Sequence, residues 1–178
     1  MTTVIGIQYD DKVVIAADSR TSDSNGQIWK TTAKVGVNGS FLLAGAGDCF
    51  PLDIAQYLWK TPIPTVKDYK DPTRYMVSIV IPSLRKAMEA NGYTKDPNDK
   101  DAGFDILISF GGNLFIAGDG WDVNIPNHNI ASIGSGGAYA HGALSAGASI
   151  EDAMKIAEEN DNNSGGPFII LEQKKVGK

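Results

Sequence analysis

Residues 3–18 read TVIGIQYDDKVVIAAD, two apolar runs broken by a polar turn at Tyr9–Lys12. The first run is rich in β-branched residues, and the second is apolar with almost no alternation. Strands of that kind have to be covered on both faces. Thr3–Gln8 and Val13–Asp18 are therefore predicted to form a hairpin buried between other layers.

The rest of the chain supplies those layers. Gln27–Val37 reads as extended, Asn38-Gly39 as a tight turn, and Ser40–Ala44 as the answering strand, broken by Gly45-Ala46-Gly47. Asp48 is placed to cap a helix through about Trp59, with Ile54, Tyr57 and Leu58 at helical spacing. Thr61–Lys70 carries two prolines and reads as a loop. Asp71-Pro72 opens a second helix that runs to Asn91-Gly92, with a kink at Pro82. Phe104–Phe110, Leu114–Ala117 and Asn129–Ile133 read as strands. A helix of small residues follows Gly134-Ser135-Gly136-Gly137, Ser149 caps a last helix to about Asn160, and Pro167–Glu172 closes as a strand. Strands, two helices, strands, two helices and a strand make an α+β chain. Two antiparallel sheets packed face to face with helices on their outer faces, a four-layer αββα sandwich, accommodate that order. At 178 residues and 42% apolar content the chain suits one domain over residues 1–178.

Composition removes several functions. A formal charge of −5 with no long basic run argues against a nucleic-acid surface. No apolar stretch approaches the roughly 18–20 residues of a membrane span, and the start lacks the segments of a signal peptide. Cys49 is the sole cysteine, which excludes an intrachain disulfide and fits a cytoplasmic setting. His128 and His141 are too scattered for a zinc site, and no metal or cofactor is expected.

What chemistry remains starts at Thr2. A threonine hydroxyl is a weak nucleophile until a base takes its proton, and a terminal α-amine serves as that base. Such an amine titrates near ~7.7–8.0, so much of it is unprotonated at neutral pH. Removal of Met1, which the small Thr2 side chain permits, would expose it. Asp18 stands at the end of an apolar strand, with Arg20 just beyond. Lys34 in an extended stretch could hold the potential near Thr2 positive, with Asp18 offsetting its charge. A solvated surface pair is the plainer reading of the same two residues. Gly45-Ala46-Gly47 offers either oxyanion-binding amides or simply a turn. Gly134-Ser135-Gly136-Gly137 makes a poor phosphate cradle, because Tyr139 stands where the dinucleotide fingerprint needs another glycine.

Taken together, Thr2-Thr3, Ala17-Asp18-Ser19-Arg20, Lys34, Ala44-Gly45, Gly134-Ser135-Gly136 and the run from Asp161 through Ser164-Gly165-Gly166 resemble the catalytic β-type subunits of the proteasome and the bacterial HslV peptidases. These are N-terminal-nucleophile hydrolases. Sixteen positions separate Thr2 from Asp18, and sixteen separate Asp18 from Lys34, as in that family. The resemblance covers essentially the whole chain and implies the same αββα sandwich.

It further implies a threonine endopeptidase. Thr2 would be the nucleophile, Lys34 would tune its amine, and Asp18 would pair with Lys34. The Gly45 N–H would meet the oxyanion, and Ser135, Asp161 and Ser164 would hold the amine. Arg20 would anchor the surrounding loops. Ser22 and Ala46 would pair an extended peptide through their backbones. Thr32, Gly36 and Leu43 would line a mostly apolar, uncharged pocket for the residue before the cut. The partners implied are peptide or unfolded-protein substrates and further copies in a homo-oligomeric ring; an ATPase unfoldase or regulator would be a separate chain. An inactive ring subunit of the same fold, and an amidohydrolase acting on a small amide, are the alternatives.

Overall fold

A computed structural model describes residues 2–22, 28–29, 33–93 and 103–176, with backbone alone at residues 22, 28 and 29. The strands are β1 (Val4–Gln8), β2 (Lys12–Ala17), β3 (Thr21–Ser22), β4 (Ile28–Trp29), β5 (Val35–Asn38), β6 (Phe41–Gly47), β7 (Phe104–Phe110), β8 (Asn113–Gly118), β9 (Val123–Asn124), β10 (Ile130–Ile133) and β11 (Ile169–Lys174). The α-helical segments are α1 (Cys49–Asp53), α2 (Val66–Lys70), α3 (Pro72–Tyr75), α4 (Ile81–Ala90), α5 (Gly137–Ser145) and α6 (Ile150–Asn160).

Two antiparallel sheets form, in the orders β10-β1-β2-β11 and β5-β6-β7-β8-β9, with β3-β4 as a small separate ribbon. Three apolar layers hold them. Val4, Val13, Ile15, Leu42, Leu107 and Leu114 fill the space between the sheets. Phe41, Leu43, Ile54, Met76, Leu84 and Phe110 pack the second sheet against α1–α4. Ile5, Ala16, Ala140, Met154 and Ala157 pack the first sheet against α5 and α6. This is the four-layer αββα sandwich, and it explains why β1 and β2 are apolar on both faces: one faces helices and the other faces the opposite sheet.

Two elements differ from the sequence expectation. β6 does not break at Gly45 but continues to Gly47, because β7 pairs with it throughout, Gly45 opposite Ile106 and Gly47 opposite Phe104. The proline-containing stretch expected as a loop holds α2, whose start is fixed by Asp68 accepting from both the N–H and the hydroxyl of Thr65 at 2.7 Å. The carboxylate bond to the Thr65 N–H is the arm a capping box makes, and the Asp68 N–H donates back to the Thr65 carbonyl at 3.0 Å. The distortion expected at Pro82 takes the form of a widened turn just before it, at Met76–Val80, where bonds run five residues back instead of four. A similar turn, Ile54–Leu58, extends α1 and ends with Trp59 N–H on Ile54 O at 2.7 Å.

Register brings the chemistry to one end of the sandwich. Val4 pairs with both Ala17 and Ile133, and Ala17 also pairs with Ile169. The residues just outside those positions therefore converge: Thr2-Thr3, Asp18, Gly134-Ser135-Gly136 and residues 161–166. In the second sheet Val35 pairs with Ala44, which brings Lys34 and Gly45 to the same end. Among the described residues, no helix is long and apolar enough to cross a membrane.

Candidate active site

Asp18 is the hub. Its side chain is 0% exposed, and its two oxygens accept four hydrogen bonds. Oδ1 takes the Thr3 N–H at 2.9 Å and the Lys34 ammonium at 2.8 Å. Oδ2 takes the N–H groups of Arg20 and Gly165, each at 3.1 Å. A buried carboxylate is tolerated when it is paired and its lone pairs are satisfied, and here both conditions hold. Lys34, 6% exposed, also donates to the carbonyl of Arg20. Its ammonium is thus fixed between the two sheets.

A second carboxylate lies on the far side of Thr3. Asp161 Oδ2 accepts from Ser135 Oγ and Ser164 Oγ, both at 2.6 Å, and Oδ1 accepts from the Asn163 backbone and side chain. Burial works to raise the Asp161 carboxyl, but these bonds, led by those from Ser135 and Ser164, outweigh it and hold it below the ordinary carboxylate range. Glycine is required where the chain passes Thr2 and Thr3. Gly134 has φ +85, and a side chain there would strike the Thr2 carbonyl. A Cβ on Gly136 would meet Thr3 Oγ1, Ser164 Oγ and Asp161 Oδ2 together. Gly136 N–H donates to the Thr2 carbonyl at 3.3 Å, which fixes the start of β1. Arg20 lies against Gly165 and donates to the Asn162 carbonyl at 3.2 Å.

A small cavity of about 20 Å³ opens beside Thr2 and is lined by Thr2, Lys34, Gly45, Ala46, Gly47, Asp48, Cys49 and Leu52. Several expectations change here. Leu43 is 0% exposed and belongs to the core beneath the helices, away from this cavity. Gly36 is covered by the carboxamide of Gln56. The wall consists instead of Asp48, Cys49 and Leu52, which the sequence reading did not assign to a site. The signal was available: Asp48 and Leu52 stand four apart at a helix start and share one face. Nor is the cavity uncharged, since Lys34 and Asp48 both border it. Tyr93 donates to Asp48 Oδ2 at 3.0 Å, and burial, with this bond adding to it, pushes the Tyr93 hydroxyl up to about 12.

The backbone of β6 changes two further assignments. Gly45 N–H donates to the Lys34 carbonyl at 3.1 Å and is engaged by β5, not directed at the cavity. Antiparallel strands alternate their bonding sides, so Ala46 turns its N–H and C=O toward β7, opposite Asp105. Gly47, next in the alternation, lies beyond the first residue of β5, Val35, and lines the cavity. Of Ser22 only the backbone is described, in β3, and Thr32 lies outside the described residues. Among the described residues no group of three or more His, Cys, Asp or Glu side chains is gathered as a metal would require.

No protein-family model matches the chain. Solved structures do match, over nearly its whole length. The Thiobacillus denitrificans protein BPH is 22% identical, with 99% of this chain and 100% of that one covered and a TM-score of 0.75. Eukaryotic HslV from Trypanosoma brucei is 20% identical, with 97% and 99% covered and a TM-score of 0.65. The fold is the proteasome β/HslV type. Anbu, the ancestral beta-subunit from Yersinia bercovieri, shares this HslV-type fold at 13% identity, with 97% of this chain and 81% of that one covered and a TM-score of 0.70. BPH has also been solved in complex with epoxomicin.

Proposed function

We propose that this chain is the catalytic subunit of a proteasome-like threonine endopeptidase, with Thr2 as its nucleophile once the bond before Thr2 is cut. The observation that carries the reading is Thr2 at a cavity shared with Lys34, whose ammonium is held by the buried Asp18 carboxylate. The freed α-amine takes the Thr2 hydroxyl proton as the oxygen attacks a peptide carbonyl. Lys34 favours the neutral amine and stabilises the developing alkoxide. The Gly47 N–H meets the tetrahedral oxyanion in place of Gly45, whose N–H is engaged. The amine of the leaving fragment departs with the transferred proton, and water then resolves the Thr2 ester. Ser135, Asp161 and Ser164 orient the amine and this water, and Arg20 anchors the loop that carries Asp161 and Ser164.

The substrate is a peptide or unfolded protein laid as an extended strand between β3 and Gly47, a β-strand addition. Further copies of the chain enclose the site in a homo-oligomeric ring in the cytoplasm, as the likeness to HslV and Anbu supports. No cofactor enters the chemistry.

Intact mass before and after treatment with epoxomicin tests this. An epoxyketone offers two electrophilic carbons and closes a ring with a hydroxyl and an amine of one residue. The expected result is loss of Met1 and one adduct per chain, absent in Thr2→Ala. A chain that takes no adduct after Met1 is removed overturns the reading and favours the inactive ring subunit.

A further inference from the structure

Thr3 has no part in the chemistry above, yet its side chain is 0% exposed and Oγ1 lies 2.6 Å from Ser164 Oγ. Ser164 Oγ lies 2.6 Å from Asp161 Oδ2, which Ser135 Oγ approaches at the same distance. Counting protons gives this row a direction. Each hydroxyl has one proton to donate, and an ionised carboxylate only accepts. Ser164 and Ser135 both direct theirs to Asp161. The proton in the contact between Thr3 and Ser164 is then the one on Thr3.

We infer that Thr3 is a positioning residue: its hydroxyl donates to Ser164, fixes the Ser164 proton on Asp161, and so keeps that carboxylate charged beside Thr2. The backbone makes the placement rigid. Thr3 N–H is held by Asp18 at 2.9 Å, and its C=O accepts the Asp18 N–H at 3.0 Å. A β-branched side chain in that frame has restricted χ1. Glycine at 136 leaves room for the row, since a Cβ there would fall on three of its oxygens.

The charged groups around Asp161 come from every neighbouring element. Arg20 reaches its loop through the Asn162 carbonyl. Asp18, with Lys34 offsetting it, connects through Gly165 N–H. Glu158 on α6 accepts from Gly166 N–H at 2.9 Å. Ser135 and Asn163 complete the shell. Among the described residues, the Thr3 row reaches Asp161 from the segment that leads into β1.

Two measurements test this, and only the second rests on the peptidase reading. The first is infrared difference spectroscopy between pH 6 and pH 3, with the protonated-carboxyl band of Asp161 identified by its loss in Asp161→Asn. Thr3→Val removes the donor and keeps the shape. It should protonate Asp161 about one pH unit higher than the wild type, which corresponds to loss of part of one charge-assisted bond. Thr3→Ser should titrate with the wild type. Thr3→Ala makes the same test without placing a methyl against Ser164 if the valine variant does not fold. The second is the pH profile of kcat/KM for peptide cleavage, whose acid limb should move by the same amount in Thr3→Val, with KM unchanged above it. A variant that melts lower but titrates Asp161 with the wild type overturns the inference and makes Thr3 a packing residue. If the wild type cleaves nothing, the peptidase reading fails while the infrared result still decides the role of Thr3.

Discussion

Asp18 directly follows β2 and Lys34 directly precedes β5, strands of different sheets, and the two meet at 2.8 Å with side chains 0% and 7% exposed. The pair ties the mouth of the sandwich together where apolar packing ends. Removing one partner of a buried pair leaves the other uncompensated and costs about 3–5 kcal/mol. Lys34→Met should lower the unfolding free energy by roughly that amount, measured by urea denaturation of the two proteins. It should also abolish peptide cleavage. A loss of activity with unchanged stability would mean that the pair does not help close the fold.

The Asp161 carboxyl is held below its ordinary range in the folded chain. A group of that kind contributes stability that is present above its unfolded value, near ~3.9, and is lost as pH falls through the lower folded value. The stability difference between wild type and Asp161→Asn should thus be constant from neutral pH down to about pH 5 and shrink in more acidic solution. Urea midpoints at a series of pH values read this directly.

Gln56 is buried against Gly36, and among the described residues its Nε2 finds no hydrogen-bond partner. A buried donor in that state costs about 1–3 kcal/mol, and an apolar group of similar size avoids the cost. Gln56→Leu should raise Tm by about 2–4 °C or more, as scanning calorimetry would show. A lower Tm would mean that the carboxamide packs better than leucine over Gly36.

Gly136→Ala places a methyl on the row formed by Thr3, Ser164 and Asp161. Overpacking of a tight site costs about 1–3 kcal/mol. The variant should lose stability in that range and lose peptide cleavage more completely than a surface substitution of equal stability cost, measured as residual activity well below Tm.

Most of the fold could be read because the signals were local. Strands β1 and β2, the Gly39 turn, the Asp71 and Ser149 helix starts and β7 each follow from a few adjacent residues. Asp71 does accept the Arg74 N–H, and Ser149 the Asp152 N–H, each at 3.1 Å. The α2 helix was equally local, since Thr65 and Asp68 are three apart, but two nearby prolines masked it. Where β6 ends could not be read, because β7, sixty residues on, decides it. The Asp18–Lys34 pair was legible only as one of two readings, the other a solvated surface pair, and Asp161 was named only through the family resemblance, because its partner Ser135 lies on a distant segment. Thr3 was visible only as a hydroxyl on the same strand face as Ile5, and its partner Ser164 lies beyond two helices. The engaged Gly45 N–H depends on which of two alternating sides faces β5, a distinction that residue types do not carry.

The tight turns at Tyr9–Lys12, Gly39-Ser40 and Gly111-Gly112 all lie at the end of the sheets away from Thr2. There Lys175 N–H binds the Asp11 carbonyl at 2.8 Å and Val176 N–H the Gly111 carbonyl at 3.3 Å. Five residues of β1 separate the two ends, about 17 Å of extended chain. A dye, tether or surface linkage attached at the exposed Asp10 would therefore leave the cavity facing outward and unshadowed. The molecule has a natural back, and immobilised chains gripped there would all present the same front.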